Sequence, residues 1–515
     1  MKPFAFTVLL SLAAAAAPAA AETLANLIMH GDRDAALAMI REGADVNAAQ
    51  GDGTTPLHWA VYKIDAELVA VLLARGAKPD AVNRYGSSPL AEAVKTADAR
   101  LVEMLLDAGA DVDAPNQDGQ TALLLAGRTG ALEAARLLVE HGADVNAHES
   151  WRGQTALMWA ADSNSPELVE LLIDHGADVH VRADANDWPS QITSEPRAQY
   201  RPTGGLTALL YAARSGCTRC VGSILEAGAD IDRPNPDGVT ALMIAIDNYR
   251  FETAKALLER GANPHVWDWW GRTALYIAVD ANNYRFPVSR AATAPRRPDK
   301  YGPGQTSPVD IVRLLLAAGV DPNPQLNMHR PSRSGNIGRF ADDTLTTGAT
   351  PLLRAAISHD IESARALLEH GALVDLPNVM GVTPLMGAAG MGVGSFLDRS
   401  SDSGGDVQAR AIAMIELLLG AGADVNARVT DIHGKTARIA RISSMTEREG
   451  ETALYGAVKG AWTRVVEYLI EHGAEVDIVD ALGRSPVDAA LGKVGGRGSE
   501  VSEEVADILR KAGGA

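Results

Sequence analysis

Gly43-Ala-Asp-Val-Asn47 is the phrase that decides the fold. It returns as Gly109-Ala-Asp-Val-Asp113, Gly142-Ala-Asp-Val-Asn146, Gly228-Ala-Asp-Ile-Asp232 and Gly422-Ala-Asp-Val-Asn426. From Gly43 to Gly76, from Gly76 to Gly109 and from Gly109 to Gly142 the interval is 33 residues each time. A fixed period of that length marks a solenoid, in which one supersecondary unit stacks on copies of itself. Such an array presents a long surface and has no built-in active site, so the period narrows function as well as fold.

Residues 119–146 show what one unit contains. Thr121 is a suitable N-cap for a first helix, with Leu123 and Ala126 on one face and Gly130 at its end. A second helix follows, with Leu132, Ala135, Leu138 and Val139 at apolar helical spacing. Gly142 supplies the left-handed C-cap that a β-carbon makes costly. The stretch from Asp144 to Gly153 is then an extended turn into the next pair. Pro56, Pro89, Pro351, Pro384 and Pro486 stand at the first helical position, where the missing N–H is of no consequence.

Thr55-Pro56-Leu57-His58-Trp59-Ala60 resembles the helix-one signature of the ankyrin repeat. Ser88-Pro-Leu, Thr121-Ala-Leu, Thr155-Ala-Leu, Thr207-Ala-Leu, Thr240-Ala-Leu, Thr273-Ala-Leu, Thr383-Pro-Leu and Thr452-Ala-Leu keep parts of it. The resemblance covers nearly all of 22–515. It implies an all-α ankyrin-repeat solenoid of about twelve helix-turn-helix units with short β-hairpin-like turns. Eleven units end at the glycines 43, 76, 109, 142, 176, 228, 261, 319, 371, 422 and 473, and the twelfth ends after Leu509. Residues 22–50 and 484–515 are the capping units, with polar outer faces. Most units lack the family's helix-one His, so its Thr–His hydrogen bond is not general here.

The chain has 515 residues, 5 % aromatic, with a formal net charge of −18. That charge repels phosphate backbones and anionic membranes, so nucleic acid is not an expected partner. Residues 1–21 read as a signal peptide: Lys2, an apolar run from Phe4 to Ala17, and small residues before Glu22. Cleavage near Ala21 would leave an exported protein, periplasmic or secreted. No later stretch is long and apolar enough to span a membrane. The chain is expected to be monomeric by itself.

Five insertions break the period. Residues 181–203, 324–347 and 427–449 fall in turns between units, and 283–306 and 391–409 fall between the two helices of one unit. Insertions in a solenoid map to loops. The loop at 283–306 carries Arg285, Arg290, Arg296, Arg297 and Lys300 against a single Asp299, and Arg330, Arg333 and Arg339 follow in the next. Two readings stand: a dock for an acidic partner or anionic polymer, or loops folded against the protein's own acidic body. Residues 391–405 are Gly/Ser-rich without a phosphate-loop ending and read as a connector.

No catalytic constellation and no cofactor or metal motif emerges. His141, His175, His370 and His472 recur before a capping Gly, where a cation suits the helix C-terminus. Cys217-Thr-Arg-Cys220 opens a second helix, a setting that lowers thiol pKa. It reads as a local disulfide or two packed thiols, or else as a redox pair with Cys217 attacking and Cys220 resolving. The contact candidate is Trp267-Asp268-Trp269-Trp270, with Trp269 and Trp270 at the turn tip, either exposed to a partner or covered by an insertion. Arg84, Tyr85, Trp151, Arg152, Tyr249 and Arg250 occupy comparable positions and extend a contact strip. The sequence therefore predicts a non-enzymatic scaffold that binds another protein through turn tips and the concave helix face. A thiol-active accessory and an anion or polysaccharide binder are the alternatives.

Overall fold

The computed structural model describes residues 23–186, 203–283, 301–302, 304–327, 345, 347–391, 406–430, 448–494 and 500–513. The signal segment and the basic residues Arg285, Arg290, Arg296, Arg297, Lys300, Arg330, Arg333 and Arg339 lie outside them. Two compact units separate at Trp151/Arg152. The first holds four helix pairs, from Leu24–His30 to Leu132–Glu140. The second holds eight, from Ala156–Asp162 to Glu503–Lys511. Among the described residues the only paired strands are Ala185–Asn186 and Thr203–Gly204, antiparallel at the base of the first insertion.

Local chemistry makes these pairs. Thr55, Ser88, Thr121, Thr155, Thr207 and Thr240 each accept the backbone N–H three residues on, closing the first turn of a first helix. His58 makes the Thr–His bond in its unit. Its Nδ1 accepts from the Thr55 backbone N–H at 3.2 Å, and its Nε2 donates to the Ser87 carbonyl at 3.0 Å. Burial holds this imidazole below its ordinary pKa. Second helices bury one stripe, as Leu101, Val102, Leu105 and Leu106 do in Ala99–Asp107. At their ends His141, His175, His370 and His472 each donate Nδ1–H to a last-turn carbonyl at 2.8 Å, a bond available to the neutral ring as well as the cation.

The turn between the two helices needs a left-handed residue. Gly31 and Gly130 provide it, but Ile64 and Ala97 hold the equivalent places with φ of 57° and 54°. A β-branched residue is strained there. Ile64 is 51 % exposed, so little packing depends on it. Ile64→Gly is expected to stabilise the first unit by about 0.5–1 kcal/mol, the αL cost less the entropy of Gly. An unchanged or lowered urea midpoint would show that the strain is absent.

The recurring phrase does more than cap. Asn47 donates Nδ2–H to the Gly76 carbonyl at 2.9 Å and accepts from the Lys78 N–H at 2.8 Å, joining one phrase to the next. Asn323 bonds Gly371 and Leu373 in the same way, and Asn426 bonds Gly473 and Glu475. Where the phrase ends in Asp only the accepting half survives, as from Asp232 to the Asn263 N–H at 2.7 Å. Asp375 accepts from the Asp424 N–H through Oδ2 at 3.0 Å, while its buried Oδ1 has no partner. By repeat equivalence that oxygen stands where an Asn would donate to the Gly422 carbonyl. Burial, and then the charge of Asp424, raise the Asp375 pKa against the bond from Asp424. A folded pKa above the unfolded one favours the native state below the unfolded pKa, and that advantage is lost as pH rises through the folded pKa. Asp375→Asn should therefore stabilise by about 1 kcal/mol at pH 7, with the gain shrinking below about pH 4. Equal melting temperatures at both pH values would contradict it.

Between phrase and next helix the chain forms a finger held by an Asx turn. Asn83 Oδ1 accepts from the Tyr85 and Ser87 N–H groups, and Asp480 Oδ1 from those of Leu482 and Arg484. Successive tips also bond, as Arg84 N–H to the Asp52 carbonyl at 2.7 Å. The three turn insertions start from these tips on one pattern. Ala183 N–H donates to Leu206 and Gly205 N–H to Asp184; Leu326 N–H to Ala349 and Gly348 N–H to Leu326; Val429 N–H to Glu451 and Gly450 N–H to Val429.

Candidate binding surface

The finger from Trp267 to Gly271 is fixed from within. Asp268 is buried, and its Oδ1 accepts from the Trp270 and Arg272 N–H groups at 3.0 and 2.8 Å. Its Oδ2 pairs with Arg272 Nε at 2.7 Å, and Asp247 lies 3.7 Å from the same guanidinium. Burial opposes the charge of Arg272, but Asp268, Asp247 and Asp280 outweigh it and hold its pKa above the ordinary value. Asp280 in turn takes a 2.6 Å bond from Arg354, which is fully buried in Pro351–Ile357 and also bonds Ser358. Asn282 and Asn283, where the insertion at 283–306 leaves its helix, donate to Asp360 at 2.7 and 2.9 Å.

This frame sorts the three tryptophans. Trp267 is 67 % exposed, Trp269 38 %, and Trp270 only 2 %. Trp270 is thus a core residue and not a surface tip: within the turn that Asp268 holds, its side chain is directed inward while that of Trp269 stays exposed. Its ring meets Trp269 edge-to-face at 5.1 Å. Its carbonyl accepts the Asn327 N–H at 2.9 Å, so the base of the second insertion closes over the finger. Gly271 at φ 79° makes room: a β-carbon there would come within 2.6 Å of the Asn327 nitrogen.

The other contact candidates differ in kind. In the first unit Arg84, Tyr85 and Trp151 are exposed, and in the second Arg152 and Arg250 are. Tyr249 is half-buried. It holds φ 59° with its ring edge-to-face on Phe251, which meets Tyr301 at the return of the insertion. Cys217 and Cys220 form a disulfide with Cα atoms 5.2 Å apart. Cys217 caps its helix by accepting the Cys220 N–H, and both residues are buried. Cys217 is 3 % exposed and Cys220 0 %, whereas an attacking thiolate must be accessible. Among the described residues no group of His, Cys, Asp and Glu could hold a metal ion. No described helix is long and apolar enough to cross a membrane.

The buried ion network was not anticipated from the sequence. Asp four residues before Arg, at 268/272 and again at 480/484, was the available signal.

Comparison with known families agrees with the geometry. A profile for ankyrin repeats in three copies matches residues 24–116, 93–183, 192–268 and 209–286, and one for the single ankyrin repeat matches 449–481. The chain is an ankyrin-repeat protein. Ankyrin repeats generally mediate protein–protein interaction, and ankyrin domains are typically non-catalytic modules. The E3 ubiquitin-protein ligase KEG of Arabidopsis thaliana is 26 % identical over 235 residues, 41 % of this ankyrin chain and 13 % of KEG. The probable E3 ubiquitin-protein ligase XBOS33 of Oryza sativa subsp. japonica is 31 % identical over 182 residues, 34 % of each chain. The mitochondrial disaggregase of Homo sapiens is 30 % identical over 185 residues, 36 % of this chain and 24 % of the relative. The ankyrin chain thus matches only about a third or less of each relative's length.

Proposed function

We propose that this ankyrin protein is a non-enzymatic scaffold of an exported compartment, binding another protein through the fingers of its second unit. The observation that carries the reading is the pair Trp267 and Trp269, exposed on a finger whose third tryptophan is core. Exposed indoles on a rigid support are the chemistry of a binding hot spot: large apolar area with a donor, at small entropic cost. The signal-like start, Lys2 with the apolar run to Ala17, supports the compartment.

The test is affinity capture from the exported fraction with the wild-type chain beside Trp267→Ala/Trp269→Ala. Loss of Trp267 alone should change stability by no more than about 0.5 kcal/mol. The double variant should retain a partner about tenfold less well. A captured set indifferent to both substitutions would sink the reading.

A further inference from the structure

Trp267 and Trp269 recur one repeat earlier, at a spacing of 33 residues, as Pro234 and Pro236. In the finger after them Asn327 takes the place of Trp269. Its N–H donates to the Trp270 carbonyl as the Trp269 N–H donates to that of Asp237. Gln325, two residues before, takes the place of Trp267. One finger further on stand Pro377 and Val379, the latter donating its N–H to the Thr347 carbonyl. Four successive fingers of the second unit thus present eight such side chains, none charged and none buried. Charged residues bound the run: Arg182 and Asp184 on the finger before it, Arg428 on the finger after. Within the run Asp237, Asp268 and Arg272 are buried, the last two paired with one another, and Arg233 beside Pro234 is half-buried with its guanidinium on the His180 carbonyl at 2.9 Å.

We propose that this uncharged face docks a proline-rich segment of a partner protein in the polyproline II conformation. The proposal rests on the scaffold reading and names the chemistry of its partner. A charged segment would lose hydration here and meet no countercharge. Trp267 and Trp269 are exposed while Asp268 and Trp270 are buried, so both indoles face outward, open to prolyl rings. Among the described residues neither indole N–H has an acceptor. A polyproline II chain has no internal hydrogen bonds, so its carbonyls are free to accept from both. The face is held by the Asp268 turn, and the ligand is stiff before it binds, so little freedom is lost on either side.

The experiment is calorimetric titration of the full chain with decaproline, with a Gly-Ser decapeptide and cellohexaose as comparison ligands. Decaproline should bind and the Gly-Ser peptide should not. Trp267→Ala with Trp269→Ala should weaken decaproline binding about tenfold or more. Because no charges meet, raising NaCl from about 0.05 to about 0.5 M should change the affinity less than about twofold. Decaproline binding no better than Gly-Ser, cellohexaose binding in its place, or affinity falling more than about tenfold with salt would each overturn the proposal. Should the double variant melt early, Trp267→Ala alone gives the same reading from the more exposed ring. If decaproline fails while a Trp-dependent partner is still captured, this proposal falls and the scaffold stands; if capture is also indifferent, both fall.

Discussion

Arg354→Met should lower the stability of the second unit by about 3–5 kcal/mol. Arg354 is fully buried, and its Nε bonds Asp280 at 2.6 Å. Removing the guanidinium leaves the buried Asp280 carboxylate with much of its compensation gone, and desolvation is then unrepaid. The pair itself need not be stabilising relative to an apolar pair. Adding Asp280→Leu to Arg354→Met should recover most of the loss. The check is the first urea transition of each variant. A single variant within about 1 kcal/mol of wild type, or a double variant no better than the single, would mean that the buried pair is not what holds Pro351–Ile357 to Ala274–Asn283.

Trp270→Ala should cost about 3–5 kcal/mol. The side chain is 2 % exposed and backs the ring of Trp269. Its removal leaves a cavity beneath the finger, and the finger cannot collapse into it without breaking the Asp268 turn. Trp270→Phe should cost clearly less. The contrast with Trp267→Ala is the sharper check: two tryptophans three residues apart, one felt in the melt and one felt only in binding. Equal melting temperatures for the two variants would contradict the assignment of Trp270 to the core.

The parts of the fold legible in the sequence are those whose causes are local. A Gly at each C-cap, a Thr or Ser at each N-cap and Pro at the first helical position are demands of backbone geometry, so they repeat with the backbone and can be counted. The joint between phrases was hidden, because Asn47 and Asp375 satisfy or fail to satisfy groups on the next unit about one repeat away. The Trp finger was half legible. Its aromatic character was plain, but a turn tip read as a loop has no assigned face. The alternation that buries Trp270 and exposes Trp269 becomes visible only once neighbouring fingers bond along their backbones. Arg354 offered a cue of its own. It stands four residues after the N-cap Thr350, where Trp59, Leu125, Tyr211, Ile244 and Ile277 stand in other units and only Glu92 is also charged, and a lone cation in a mostly apolar column calls for a buried counterion.

The two-bond bases of the finger insertions carry a last consequence. Ala183, Leu326 and Val429 close their loops through backbone groups, each seconded by the side chain before it: Arg182 on the Gly205 carbonyl, Gln325 on that of Gly348 and Arg428 on that of Gly450. The framework therefore registers only where a loop leaves and returns, and lengthening a closed loop adds little entropic penalty. Each base is a graft site: the text between its two ends can be rewritten, lengthened or exchanged among the three without retuning a helix. A lineage of such chains can acquire new specificities at its fingertips while its core sequence stands still.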